Sequence, residues 1–216
     1  PDEWRALFEI SGNTSDSLAS LIGTQPDQTT SGKYSGSLLH CAAMVGSLQG
    51  VKLLISGYGL SVNSTNDRSE TPLFLACRCG HVAIVEHLLS IGADAGICNV
   101  YSENGLHWLD SFEDDYIRNL VANLCRHGAK IDGVAEADGT FFPAEIRTYY
   151  SQWYPGTPLQ RAVVSGNLAA IHALLEFGAS LKVQYRGITA IDRAAQLRQA
   201  DILELLLAHD PSINFN

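Results

Sequence analysis

Apolar residues in this chain come in paired bursts. A first run, in which leucine and alanine sit among other small side chains, is followed by a glycine or a substitute for it, and then by a second run richer in Leu, Ile and Val. The first runs open at Ser37, Thr71, Asn104, Thr157 and Thr189; the second cover residues 51–55, 84–89, 120–124, 171–175 and 202–207. Recurrence at three and four residues within each run predicts amphipathic helices, so the chain reads as a series of helix pairs. Gly59, Gly92, Gly128 and Gly178 close four of the second runs, and Asp210 takes that place in the fifth.

The openings of the first runs are 34, 33, 53 and 32 residues apart. A period near 33 marks an internal repeat, and one helix pair cannot bury its own apolar face, so stacking is obligatory. The local chemistry agrees. In Thr71-Pro72 and Thr157-Pro158 the hydroxyl caps free N–H groups, and proline at the first helical position loses no hydrogen bond. Ala42, Ala43, Ala76, Cys77, Ala162, Ala194 and Ala195 are small enough to let neighbouring helices approach, and Gly46, Gly80 and Gly166 permit a left-handed turn between the two helices.

The run Thr71-Pro-Leu-Phe-Leu-Ala-Cys-Arg-Cys-Gly80-His81, closed by Gly92-Ala93-Asp94, resembles the ankyrin repeat. The resemblance extends over about residues 33–216 and implies an all-α repeat solenoid of helix–turn–helix units with β-hairpin-like loops. Repeats are expected at 33–66, 67–99, 100–132, 153–184 and 185–216, with an insertion at 133–152. Residues 1–32 are expected to form a helical cap or degenerate repeat, from Leu7, Phe8 and Ile10, then Leu18, Leu21 and Ile22.

Departures from the pattern are expected to disturb it locally. The third unit carries Leu109-Asp110 in place of paired alanines and Ser111-Phe-Glu-Asp-Asp115 where the turn glycine belongs; its Leu106-His-Trp-Leu109 resembles a variant common in fungal ankyrin proteins. In the fifth unit Arg198-Gln199 replaces Gly-His, which predicts a strained or remodelled turn. The first unit has one extra residue around positions 56–58.

Composition narrows the function. Apolar residues are 46% of 216, enough for a sizeable core, and no apolar run approaches the roughly 18 residues of a membrane span. A net charge of −9 disfavours a nucleic acid or an anionic membrane as partner. The five cysteines, Cys41, Cys77, Cys79, Cys98 and Cys125, form no Cys-x-x-Cys pair and read as reduced thiols of an intracellular protein, in cytoplasm or nucleus. The first residue is Pro1 rather than Met, which reads as a piece of something longer.

No catalytic, cofactor-binding or metal site is expected. The resemblance implies that His40, His81 and His107 hydrogen-bond neighbouring loops. Cys79 is expected to face the groove, and Asp110, Glu113, Asp114 and Asp115 read as a solvated helix start.

The family binds other proteins on a concave surface made of loop tips and first helices. At the tips this chain has Tyr34, Arg68, Tyr101, Trp153 with Tyr154, and Tyr185 with Arg186. Of the 3 Trp and 8 Tyr, five therefore lie at tips, where Asp and Asn would be usual. Rigid aromatics and Arg are the types enriched in binding hot spots; the alternative is that the rings pack on adjacent loops. Met44, Val45, Arg78, Cys79, Phe112, Val164 and Leu197 are expected on the groove floor, which suits a hydrophobic or amphipathic peptide. Residues 141–154 hold six aromatics, so the insertion either packs over the groove or grips a partner.

Two functions follow: a non-catalytic module docking another protein, through a basic or amphipathic segment, or an intramolecular regulatory domain of a larger enzyme. The second is motivated by Pro1 and by Ile202, Leu203, Leu206 and Leu207, an apolar helix with no sixth unit to cover it.

Overall fold

The computed structural model describes residues 36–136 and 155–210, and the chain divides into two compact units, Pro1–Val100 and Tyr101–Asn216. Expectations for residues 1–32, Tyr34, Trp153, Tyr154 and most of the insertion fall outside the described residues.

The first unit holds two helix pairs: α1 (Leu38–Val45) with α2 (Leu48–Lys52), and α3 (Pro72–Arg78) with α4 (Val82–Ser90). Ala42, Ala43, Ala76 and Cys77 have no exposed surface, and α1 packs on α3 through them. The extra residue of the first repeat has a definite outcome. After α2 the backbone continues as a π turn over Leu53–Gly57, whose wider i→i+5 loops take up one residue without breaking the helix.

The second unit holds a 3₁₀ helix (Gly105–Ser111) with α5 (Asp114–Arg126), then α6 (Pro158–Ser165) with α7 (Leu168–Glu176), then α8 (Ala190–Gln196) with α9 (Ala200–His209). The third repeat is the irregular one, where the sequence departs. Trp108 is non-helical (φ −121°, ψ 27°), and Phe112 ends the segment in extended backbone rather than in a glycine turn. Phe112 is a correction to the expected groove floor: it is 8% exposed, its ring centroid 5.8 Å from that of Tyr116. The chain turns inward where glycine is missing, so the ring goes to the core.

The threonine caps form as their chemistry requires. Thr71 Oγ1 accepts from Phe74 N, Thr157 Oγ1 from Gln160 N and Thr189 Oγ1 from Asp192 N, each at 3.1 Å, with Pro72 and Pro158 in the first turn. Gly166 takes the left-handed turn at φ 73°, and Arg198, its counterpart in the fifth repeat, takes the same turn at φ 58°. The turn is kept rather than remodelled, and the arginine carries the strain.

Hairpin-like loops appear as isolated bridges. Tyr185 and Ile188 exchange two hydrogen bonds at 3.0 Å, around a two-residue turn in which Arg186 and Gly187 both have positive φ (51° and 77°). Ala135 and Gly156 pair in the same way, at 2.8 and 2.9 Å, and so join the two feet of the insertion. Of the apolar helix expected to be uncovered, Ile202 and Leu206 are buried, and Leu203 and Leu207 are half-buried.

Candidate protein-docking surface

In the first, third and fourth repeats the loops are held by one recurring device, at the third residue after the first-helix cap. In the first repeat, His40 Nδ1 accepts from Ser37 N at 3.2 Å and Nε2 lies 3.1 Å from Ser64 O. In the third, His107 Nδ1 accepts from Asn104 N at 3.1 Å and Nε2 lies 3.2 Å from Gly133 O. Because Nδ1 accepts, Nε2 carries the proton and donates to the loop carbonyl: each ring is neutral and bridges its own helix start to the following loop. Burial pulls the pKa of His107 down to about 4, with the charge of Arg161 acting in the same direction, and burial also lowers that of His40.

Gln160 does this work in the fourth repeat, which sequence reasoning missed. Its Oε1 accepts from Thr157 N at 3.0 Å, and its Nε2 donates to Ile188 O at 2.7 Å and Val183 O at 3.4 Å. Ile188 is the partner of Tyr185, so this amide fixes the last hairpin. The legible signal was position: His40, His107 and Gln160 occupy the same register. His81 acts elsewhere, its Nε2 3.0 Å from Met44 O at the end of α1.

A second feature not read from sequence is a pair of buried carboxylates, each one residue before a cap. In the first unit Glu70 meets Arg78 Nη1 at 2.7 Å and Asn66 Nδ2 at 2.7 Å. In the second, Arg161 Nη1 donates to Glu103 at 3.0 Å; the two side chains are 6% and 3% exposed, and the guanidinium lies 4.0 Å from the Trp108 ring centroid. Burial lowers the pKa of Arg161, opposed by the charges of Glu103 and Asp110.

The expected site residues divide accordingly. In the first unit Met44 and Arg68 are half-buried; Arg68 O accepts from Val100 N at 2.9 Å. Arg78, 17% exposed, is engaged by Glu70 and lies 5.9 Å from the Phe74 ring centroid. Cys79 is exposed, and all five cysteines are free. In the second unit Tyr101 is half-buried, its carbonyl accepting from Glu136 N at 2.9 Å. Tyr185 is half-buried and Arg186 is exposed, the guanidinium 5.3 Å from the Tyr185 ring centroid. Val164 is half-buried and Leu197 is 41% exposed.

Among the described residues no group of three or more His, Cys, Asp or Glu side chains is placed to hold a metal ion. No described helix is long and apolar enough to cross a membrane.

Stacked helix pairs of this period, with capped first helices, left-handed inter-helix turns and clamped hairpin tips, define an ankyrin-repeat protein. Residues 7–99, less than half of the chain, match the family model described as ankyrin repeats in three copies, and the helical repeat architecture agrees with it. Relatives are found in several settings. Palmitoyltransferase ZDHHC13 of Homo sapiens is 29% identical over 199 residues, covering 84% of this chain and 31% of that protein. The ankyrin repeat and KH domain-containing protein mask-1 of Caenorhabditis elegans is 26% identical over 200 residues, 89% of this chain and 6% of that one. Protein phosphatase 1 regulatory subunit 27 of Mus musculus is 39% identical over 61 residues, 28% of this chain and 39% of that one. The chain thus spans about 30% of the length of the palmitoyltransferases it matches.

Proposed function

We propose that this chain is a non-catalytic docking module that binds another protein with its tip loops and first helices, through a basic or amphipathic segment of the partner. One observation carries the reading: His40, His107 and Gln160 clamp the loops at Ser64, Gly133 and Ile188 to the helices, so side chains such as Tyr185 and Arg186 are presented on pre-ordered backbone. Ordering done on folding does not have to be repeated on binding, which is how a modest surface gains affinity. The net charge of −9 supports a basic partner, chiefly through association rate. The free cysteines support a reducing compartment, cytoplasm or nucleus.

The test is capture of partners by the wild-type chain and by a Tyr101→Ala, Trp153→Ala variant of unchanged circular dichroism. Loss of the captured proteins is expected. Undiminished capture would show that the partner docks elsewhere than on the tip loops.

A second reading, favoured by the share of the palmitoyltransferases that this chain covers, is a regulatory segment acting on a catalytic part of the same polypeptide. The full open reading frame decides it: a frame that encodes no catalytic domain ends this reading and leaves the first intact.

A further inference from the structure

The outer helices of the second unit carry a surface that the tip loops do not account for. On one side α7 packs on α5, and Arg118 of α5 reaches Glu176 with two hydrogen bonds, Nε to Oε2 at 2.8 Å and Nη2 to Oε1. On its other side, α7 and α9 leave a cleft of about 530 Å³ lined by His172, Leu175, Glu176, Leu205, Ala208 and His209. Leu175 is buried and Leu205 half-buried at its floor, while Ala208 is exposed and leaves the wall low. The volume falls within the range of pockets that accept a ligand or a few anchoring side chains, about 300–1,000 Å³.

Charge selects what fits. Neither α7 nor α9 contains a lysine or arginine, and Arg118 of α5, which reaches the cleft border at Glu176, is paired with that carboxylate. Asp201 lies four residues before Leu205, and Glu204 four before Ala208, so both share a helix face with cleft residues, and both are exposed. The last turns of both helices line the cleft, which puts the negative ends of two helix dipoles beside it. Just past the end of α9, Asp210 pairs with Lys182 at 3.9 Å. An apolar floor with an anionic border suits an amphipathic helix whose apolar stripe is flanked by basic residues.

We propose that the cleft between α7 and α9 is a second docking site, taking a basic amphipathic helix of a partner protein, independent of the tip loops. Leucines of that helix fill the space over Leu175 and Leu205, and its lysines or arginines meet Glu204, Asp201 and the C-terminal carbonyls of the two helices.

The test uses the full chain and two synthetic helical peptides with leucines at i, i+3, i+4 and i+7. One has lysines at the remaining positions and its twin has glutamates. Binding is read by fluorescence anisotropy and by the imidazole resonances of His172 and His209. The lysine peptide should bind and move both imidazole signals, and its twin should bind at least about 10-fold more weakly. Ala208→Trp, which fills the cleft without changing charge, should weaken the lysine peptide about 10-fold or more. Tyr185→Ala should leave its affinity unchanged, which separates this site from the tip loops. No binding, equal binding of the twin, undiminished binding to Ala208→Trp, or unmoved signals from His172 and His209 would each overturn the proposal. The imidazole readout on the unmodified chain decides the question if Ala208→Trp fails to fold.

Discussion

The guanidinium of Arg161 stacks 4.0 Å from the ring centroid of Trp108 while its Nη1 donates to Glu103, joining the fourth repeat to the third through a charge pair almost wholly out of water. Removing one member of such a pair leaves the other charge buried and uncompensated, which typically costs roughly 3–5 kcal/mol. Glu103→Ala should therefore destabilise the chain by about 3 kcal/mol or more in urea unfolding. Adding Arg161→Leu should recover much of that loss, because the orphan charge goes with it. A single-variant cost under about 1 kcal/mol would put the pair in the class of surface ion pairs.

The clamp at His107 predicts a pH dependence. Its folded pKa, about 4, lies below the ordinary value of 6.5, so the unfolded chain binds more protons between the two. Stability from this residue is complete above pH 6.5 and is lost as pH falls from there towards 4, by about 3 kcal/mol in all. His40 shifts in the same direction and adds to the slope. His107→Gln copies what Gln160 does in the fourth repeat. It should keep stability at pH 7.5 and flatten the acid limb of a denaturation series, whereas an unchanged slope would show that the ring does not titrate as described.

How far the molecule was legible from its residues follows from which interactions are local. Thr71-Pro72 and Thr157-Pro158 announce helix starts because cap and partner lie within four residues, and the period of the apolar runs fixes which helices form pairs. The π turn at Leu53–Gly57 was visible as one extra residue, though not as a π turn. Non-local pairs were not legible: Glu103 and Arg161 are far apart in the chain, and nothing in either neighbourhood names the other. Phe112 was read onto the groove by counting along a regular helix, and the 3₁₀ segment of its repeat breaks that count. For the tip residues, sequence supplied residue type and place, and the structure added the clamps that hold the last hairpin.

Arg198 supplies a prediction of opposite sign. A non-glycine residue in left-handed backbone carries a steric cost of roughly 1–2 kcal/mol, and Gly166 shows the same turn without it. Arg198→Gly should raise stability by about 1 kcal/mol, less than the full steric term because glycine also frees the unfolded chain. A lower unfolding midpoint would mean that the arginine side chain contributes contacts worth more than the strain.

Docking of a partner by the ordered tip loops is tested with least disturbance to the fold at the last hairpin. Its turn positions are Arg186 and Gly187, so Arg186→Gly keeps the required backbone while removing the guanidinium, and Tyr185→Ala removes the ring. The direct measurement is calorimetric titration of a captured partner into wild-type chain and into the Tyr185→Ala, Arg186→Gly variant. A loss of about 2 kcal/mol, roughly 30-fold in Kd, is expected, with the melting temperature nearly unchanged. Equal affinity for the two chains would contradict it.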